Sequence, residues 1–198
     1  MISDPTLTTS AKPSSKSNFD LFFDFTFREE GGYVNDPHDR GGATSGGVTQ
    51  VVYTAYRYRH NLPSQAVRLI TLDEVRDIYK TQYFDACSCG VMDPWYAVAI
   101  GDTAILCGPG YAIAWARLAV NLPVSHQVSP ALFAALHRAG CGPTIDNYID
   151  LRIGHHQRVA VEHPDQGRFL EGWLARAERL RAYSKKLADV TELAPATE

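Results

Sequence analysis

The segment that most restricts this chain lies between residues 31 and 47. It holds six glycines, Pro37 and a cluster of Asn, Asp, Ser and Thr, a composition that excludes a long helix. Before it, Phe19, Phe22, Phe23 and Phe27 fit one face of a helix, while Leu21, Phe23, Phe25 and Phe27 would equally fit a strand. Gly31-Gly32 decides for the helix, because a glycine pair just after a periodic segment suits a helix C-cap. Asn18 is its expected N-cap. Residues 31–47 then form a loop or small sheet. From Val48 to Arg59 helical spacing returns, with Val51, Val52 and Ala55 on one side.

Beyond this frame the pattern is helical. Thr71-Leu72-Asp73-Glu74 is a capping box, predicting a helix to about Phe84, with a turn region from Cys87 to Pro94. Pro109-Gly110 opens a helix carrying Ile113, Ala116 and Val120. Ser129-Pro130 places an N-cap before a proline at the first helical position. Thr144 is the expected cap of a further helix with Ile145, Tyr148, Ile149 and Arg152 at helical spacing. Phe169, Leu170, Trp173, Leu174 and Ala177 form the apolar stripe of a last helix. The fold class is mainly α. Residues 1–17, rich in Ser, Thr, Pro and Lys, read as a disordered leader, and 186–198, without a core-forming pattern, as a flexible tail.

A chain of 198 residues fits one domain and buries enough surface to fold without disulfides or metals. A net charge of −3 argues against a general nucleic-acid binder, so any attraction to an anionic polymer must come from a local patch. No apolar run approaches the ~20 residues needed to cross a bilayer, so no membrane insertion is expected. The start lacks the basic and apolar regions of a secretory signal, which predicts synthesis in the cytoplasm. Cys87, Cys89, Cys107 and Cys141 lack zinc-ribbon spacing, and His155-His156 are neighbours that point apart on a helix. No metal and no cofactor are expected, and a monomer is. Trp95, Trp115 and Trp173 suit core packing, and Arg57, Arg59 and Arg68 a solvated face.

The chemistry concentrates in Glu30-Gly31-Gly32-Tyr33-Val34-Asn35-Asp36-Pro37-His38-Asp39 and the residues that follow it to Gln50. A carboxylate stands at a helix end against an aromatic core, and further carboxylates follow in a loop whose glycines let backbone approach a bound polymer. Glycoside cleavage needs one protonated and one ionised carboxyl group across a cleft. The plainer reading is that Gly31-Gly32 stops a helix while Asp36-Pro37 and Asp39-Arg40 make turns.

The run from Glu30 to Gln50, with its Glu-Gly-Gly-Tyr-Val-Asn-Asp-Pro opening and its Gly-Val-Thr-Gln close, resembles the opening motif of glycoside hydrolase family 108, which contains N-acetylmuramidases. Weaker similarity continues through Ile78-Tyr79, Gly101-Asp102-Thr103-Ala104 and Phe169-Leu170-Glu171-Gly172-Trp173-Leu174-Ala175-Arg176. The resemblance implies a lysozyme-like helical domain with a small β-hairpin at the active site. Its catalytic region would be 18–100, packed as one unit with a helical region, 101–185, resembling a peptidoglycan-binding segment. It implies cleavage of the β-1,4 bond between N-acetylmuramic acid and N-acetylglucosamine in peptidoglycan glycan strands, by an enzyme that reaches the wall after release or export. Glu30 would be the general acid, with Glu29 on the wrong side of the helix. By similarity to phage lysozymes, Asp39 would activate a water, with Asp36 as rival, and Thr44 or Ser45 would hold that water, giving inversion. Tyr33, Asp36, Ser45, Thr49, Gln50 and Tyr53 would contact substrate. Leu106, Ser125-His126 and His155-His156 depart from the family pattern, all in the half that resembles the binding segment. The alternative is a non-catalytic wall-binding or secretion-assisting module.

Overall fold

The computed structural model describes residues 16–30 and 43–192. Helix α1 (Asn18–Glu29) is followed by strands β1 (Thr44–Ser45) and β2 (Val48–Thr49), then by helices α2 (Gln50–Arg59) and α3 (Leu72–Tyr79). Helices α4 (Pro94–Cys107), α5 (Pro109–Ala119), α6 (Pro130–Ala139), α7 (Gly142–Glu162) and α8 (Leu170–Glu192) complete it. The mainly α architecture expected from the sequence is the one found.

Helix α4 organises the rest. Its residues from Trp95 to Ala104 are all buried, including Ala97, Val98, Ala99 and Ile100 at full burial. A helix apolar on every side belongs at a domain's centre, and α1, α5, α7 and α8 pack around it. Gly101 makes the α1 contact close: a Cβ there would lie 2.6 Å from the ring of Phe22. Because α4 runs through position 100, the two regions expected on either side of it share their central helix.

The N-cap of α1 is Ser17, whose Oγ accepts from the Asp20 N–H at 3.2 Å. Asn18, expected in that role, is the first helical residue and donates instead to the Met92 carbonyl at 2.8 Å. Val48 and Thr49, expected in helix, pair with Ser45 and Thr44 as an antiparallel hairpin. Gly46 and Gly47 form its two-residue turn with φ of +53° and +72°, the backbone that favours glycine at both places. Thr49 then caps α2, accepting from the Val52 N–H at 3.3 Å. The hairpin sets the phase of α2 so that Tyr53 and Tyr56 are buried, whereas Val51 and Ala55 of the expected apolar face are exposed.

The Thr71 capping box is present in both directions: Thr71 Oγ1 accepts from the Glu74 N–H, and Glu74 accepts from the Thr71 N–H. A π-helical turn, Lys80–Phe84, extends α3 to the expected end. Ser129 caps α6 as expected. Helix α7 starts at Gly142, so Thr144 lies inside its first turn rather than capping it. Helix α8 continues to Glu192 with Ser184 and Ala188 buried, so residues 186–192 belong to the fold and not to a tail. Trp95 and Trp115 are core side chains and Trp173 is half-buried. Among the described residues the four cysteines form no disulfide, and burial pushes Cys107 up to about 11 and Cys89 well above the ordinary thiol range. Among the described residues no helix is long and apolar enough to cross a membrane, and no three metal-binding side chains converge.

Candidate active site

Glu30 is the C-cap of α1, its backbone extended while its N–H still donates to the Thr26 carbonyl at 3.1 Å. The Glu30 carboxylate faces the hairpin across a cavity of about 290 Å³, lined by Phe27, Ser45, Gly46, Ile70, Leu72 and Val75. The hairpin backbone presses against the acid. A Cβ on Gly47 would stand 2.7 Å from Glu30 Cγ and 2.8 Å from Cδ, and would collide with the Tyr79 hydroxyl. Tyr79 itself donates to the Gly46 carbonyl at 2.9 Å, fastening the turn to α3. Burial, and after it the negative charge of Glu30, raises the pKa of both Tyr79 and Tyr83, so the two phenols stay neutral.

The other side of Glu30 is occupied by a buried ion cluster drawn from three helices. Arg176 of α8 donates from Nη1 to Glu30 Oε1 at 2.5 Å. The same guanidinium grips Asp102 of α4, Nη2 to Oδ1 at 2.7 Å and Nε to Oδ2 at 3.3 Å. Arg152 of α7 donates to Asp102 Oδ2 at 2.7 Å and to Thr103 Oγ1 at 3.3 Å. Asp102 and Arg152 are fully buried. Burial opposes the Asp102 charge, yet the guanidiniums of Arg176 and Arg152 overcome it and hold the carboxyl at about 2. Burial works against the charge of Arg176 too, but Asp102 and Glu30 raise its pKa and keep it a permanent cation.

Glu29 points elsewhere, in a two-bond pair with Arg179 at 2.9 and 2.6 Å. Of the residues expected at the site, Ser45 lines the cavity, and Thr44, half-buried, pairs with Thr49 in the hairpin. Tyr33, Asp36 and Asp39 lie outside the described residues. Three of the expected substrate contacts are bonded within the fold. Thr49 spends its hydroxyl on the α2 cap. Gln50 bridges to the Gln65 carbonyl and the Val67 N–H. Tyr53 is fully buried, its hydroxyl donating to Glu74 and accepting from Arg57 and Gln65. Arg57 is not on a solvated face: it pairs with Glu74 at 2.8 Å.

Residues 23–108 match the family model described as Glycosyl hydrolase 108. The match spans less than half of the chain. The matched residues include Glu30, the hairpin, Tyr79 and Asp102, while Arg152 and Arg176 lie outside them. Among solved structures, that of Brucella abortus SagA has a TM-score of 0.77 at 24% identity, covering 88% of this chain and 98% of that one. The likeness shows that residues 23–108 and the helices beyond them share one known lysozyme-like fold. No curated protein matches the chain.

The ion cluster is the part of the site that sequence reading did not assemble. Its signals were present. Arg152 falls on the same helical stripe as Ile145, Tyr148 and Ile149, so it must be buried, and a buried cation needs a carboxylate. Asp102 sits within the most apolar helix of the chain, where only such a cation could hold it.

Proposed function

We propose that this chain is a glycosyl hydrolase of family 108 and a peptidoglycan hydrolase of lysozyme type. It cleaves the β-1,4 bond between N-acetylmuramic acid and N-acetylglucosamine, with Glu30 as general acid. The observation that carries this reading is the position of Glu30: among the described residues it is the one carboxylate lining the hairpin cavity, and the hairpin backbone leaves no room for a side chain beside it.

Protonated Glu30 gives its proton to the glycosidic oxygen as the bond to the muramic C1 breaks, and charge builds on the sugar ring. Arg176 keeps Asp102 as counter-ion when Glu30 takes up that proton, so no buried guanidinium is left unpaired. The second carboxylate is Asp39, with Asp36 as its rival, acting on a water held by Thr44 or Ser45. Inverting glycosidases keep their two carboxyl groups about 6.5–9.5 Å apart to admit that water. The product is therefore the α-anomer at the new reducing end, which proton NMR of early product reads before mutarotation.

The decisive test is Glu30→Gln, assayed on purified peptidoglycan by zymogram and turbidity, with circular dichroism as control for the fold. The amide has the shape of the acid but no proton to give. Loss of at least about 10²-fold is expected, in line with general-acid catalysis. Glu29→Gln should leave lysis nearly unchanged. Retention of more than about a tenth of the activity in Glu30→Gln removes Glu30 from the role.

A further inference from the structure

We infer that Asp102 and Arg176 are positioning residues for Glu30: Asp102 fixes the plane of the Arg176 guanidinium, and Arg176 in turn fixes which Glu30 oxygen carries the catalytic proton. The inference rests on the reading of Glu30 as general acid.

A guanidinium is a planar fork whose donors keep fixed relative directions. Here the edge formed by Nε and Nη2 is closed on both oxygens of Asp102, at 3.3 and 2.7 Å. Side-on pairing of this kind fixes orientation as well as distance. With that edge taken, Nη1 projects from the opposite edge and meets Glu30 Oε1 at 2.5 Å. Asp102 cannot turn to release the fork. Its Oδ2 also accepts from Arg152, and it stands fully buried in the central helix. The cluster thus joins three helices, α4, α7 and α8, to one oxygen atom of the acid.

Glu30 needs such a device. It is the last described residue before a stretch that opens with two glycines, and a glutamate has three side-chain torsions to fix. An oxygen that accepts from a permanent cation is the wrong place for a proton. Oε1 is therefore the unprotonated oxygen, and the proton rides on Oε2, which has no donor among the described residues. The sugar meets a carboxyl group with its acidic hydrogen already assigned to one atom. A buried ion pair is weak support for stability, since apolar residues of the same volume often serve as well. Its retention beside the acid fits the orienting role.

The test compares pH–rate profiles of the full chain on a soluble glycan fraction released from purified peptidoglycan. Arg176→Gln removes the cation from Oε1, so the carboxyl keeps its proton longer and the alkaline limb moves up, by about one pH unit. Asp102→Asn leaves Arg176 to face Glu30 alone, so the alkaline limb moves down by a similar amount. Arg176→Lys keeps the charge but not the fork, and kcat should fall by tenfold to about 10²-fold with KM within about twofold. A merely structural role lowers the folded fraction and leaves the limbs where they are. Limbs of Arg176→Gln and Asp102→Asn that coincide with the parent profile overturn the inference. If Asp102→Asn does not fold because Arg152 loses its partner, Arg176→Lys decides: full kcat refutes, and a fall in kcat at unchanged KM supports. Loss of lysis in Glu30→Gln together with unmoved limbs overturns only the positioning role. An active Glu30→Gln overturns the reading beneath it.

Discussion

Replacing His156 by phenylalanine should remove most of the protein's loss of stability between pH 7 and pH 5. His156 is buried in α7, its ring stacked on Trp173 with centroids 5.1 Å apart, and its Nε2 has no partner among the described residues. Burial first, then the positive charges of Arg152, His155 and Arg176, lower its pKa to about 3, with Asp102 pulling weakly the other way. The unfolded chain protonates this ring near the ordinary value of about 6.5. The folded state therefore binds fewer protons between those values, and stability falls as pH falls through 6.5. Linkage of a site at about 6.5 unfolded and about 3 folded gives a loss of about 2 kcal/mol at pH 5 relative to pH 7. Asp102 adds almost nothing in this window, since its two values both lie below 4. His155, lowered by burial and by Arg158, works in the same direction and remains in the variant. Phenylalanine keeps the stacking and carries no proton. Urea unfolding at pH 7 and pH 5, followed by far-ultraviolet circular dichroism, measures both proteins. An equal loss in parent and variant would refute the claim that the fold holds His156 neutral.

Gly47→Ala should abolish lysis and lower the melting temperature by several degrees in calorimetry, because φ of +72° costs about 1 kcal/mol for alanine and the new methyl meets Glu30 and Tyr79; an active variant of parental stability counts against the close hairpin. Thr71→Ala should cost about 1 kcal/mol through loss of the capping box, seen as a lower urea midpoint with lysis retained; an unchanged midpoint argues that α3 is held by packing alone. Overnight treatment with a strong chelator should leave lysis unchanged, and a loss restored by zinc would bring a metal back into the reaction.

What the sequence disclosed was what is local. The Thr71 box closes within four residues, and the Ser129-Pro130 start depends on nothing outside its own turn, so both could be read directly. The hairpin was half legible: Gly46-Gly47 marked a turn, but Val48 read as helix because branched apolar residues fit either period. The buried face of α2 was misjudged for a related reason. Tyr53 can be buried only where its hydroxyl finds Glu74, Arg57 and Gln65, and of these Glu74 and Gln65 come from other segments. The last turns of α8 were missed because Ser184 and Ala188, small residues that allow close approach, give no apolar signal. At the site, Glu30 was visible from its motif, while its surroundings were not. Arg176 stands 146 positions away, and the carboxylate that aligns it belongs to a third helix.

That separation has a consequence for how the activity comes into being. The cluster closes only when α8, the last described helix, lies against α1, the first. A ribosome must have passed residue 176 before Glu30 can meet Arg176, so shorter partial chains carry the carboxylate without that partner. The same arrangement makes the 3₁₀ connector Pro164–Phe169 a natural place to divide the protein. Two fragments separated there would each be silent, and lysis on mixing them would report their reassembly.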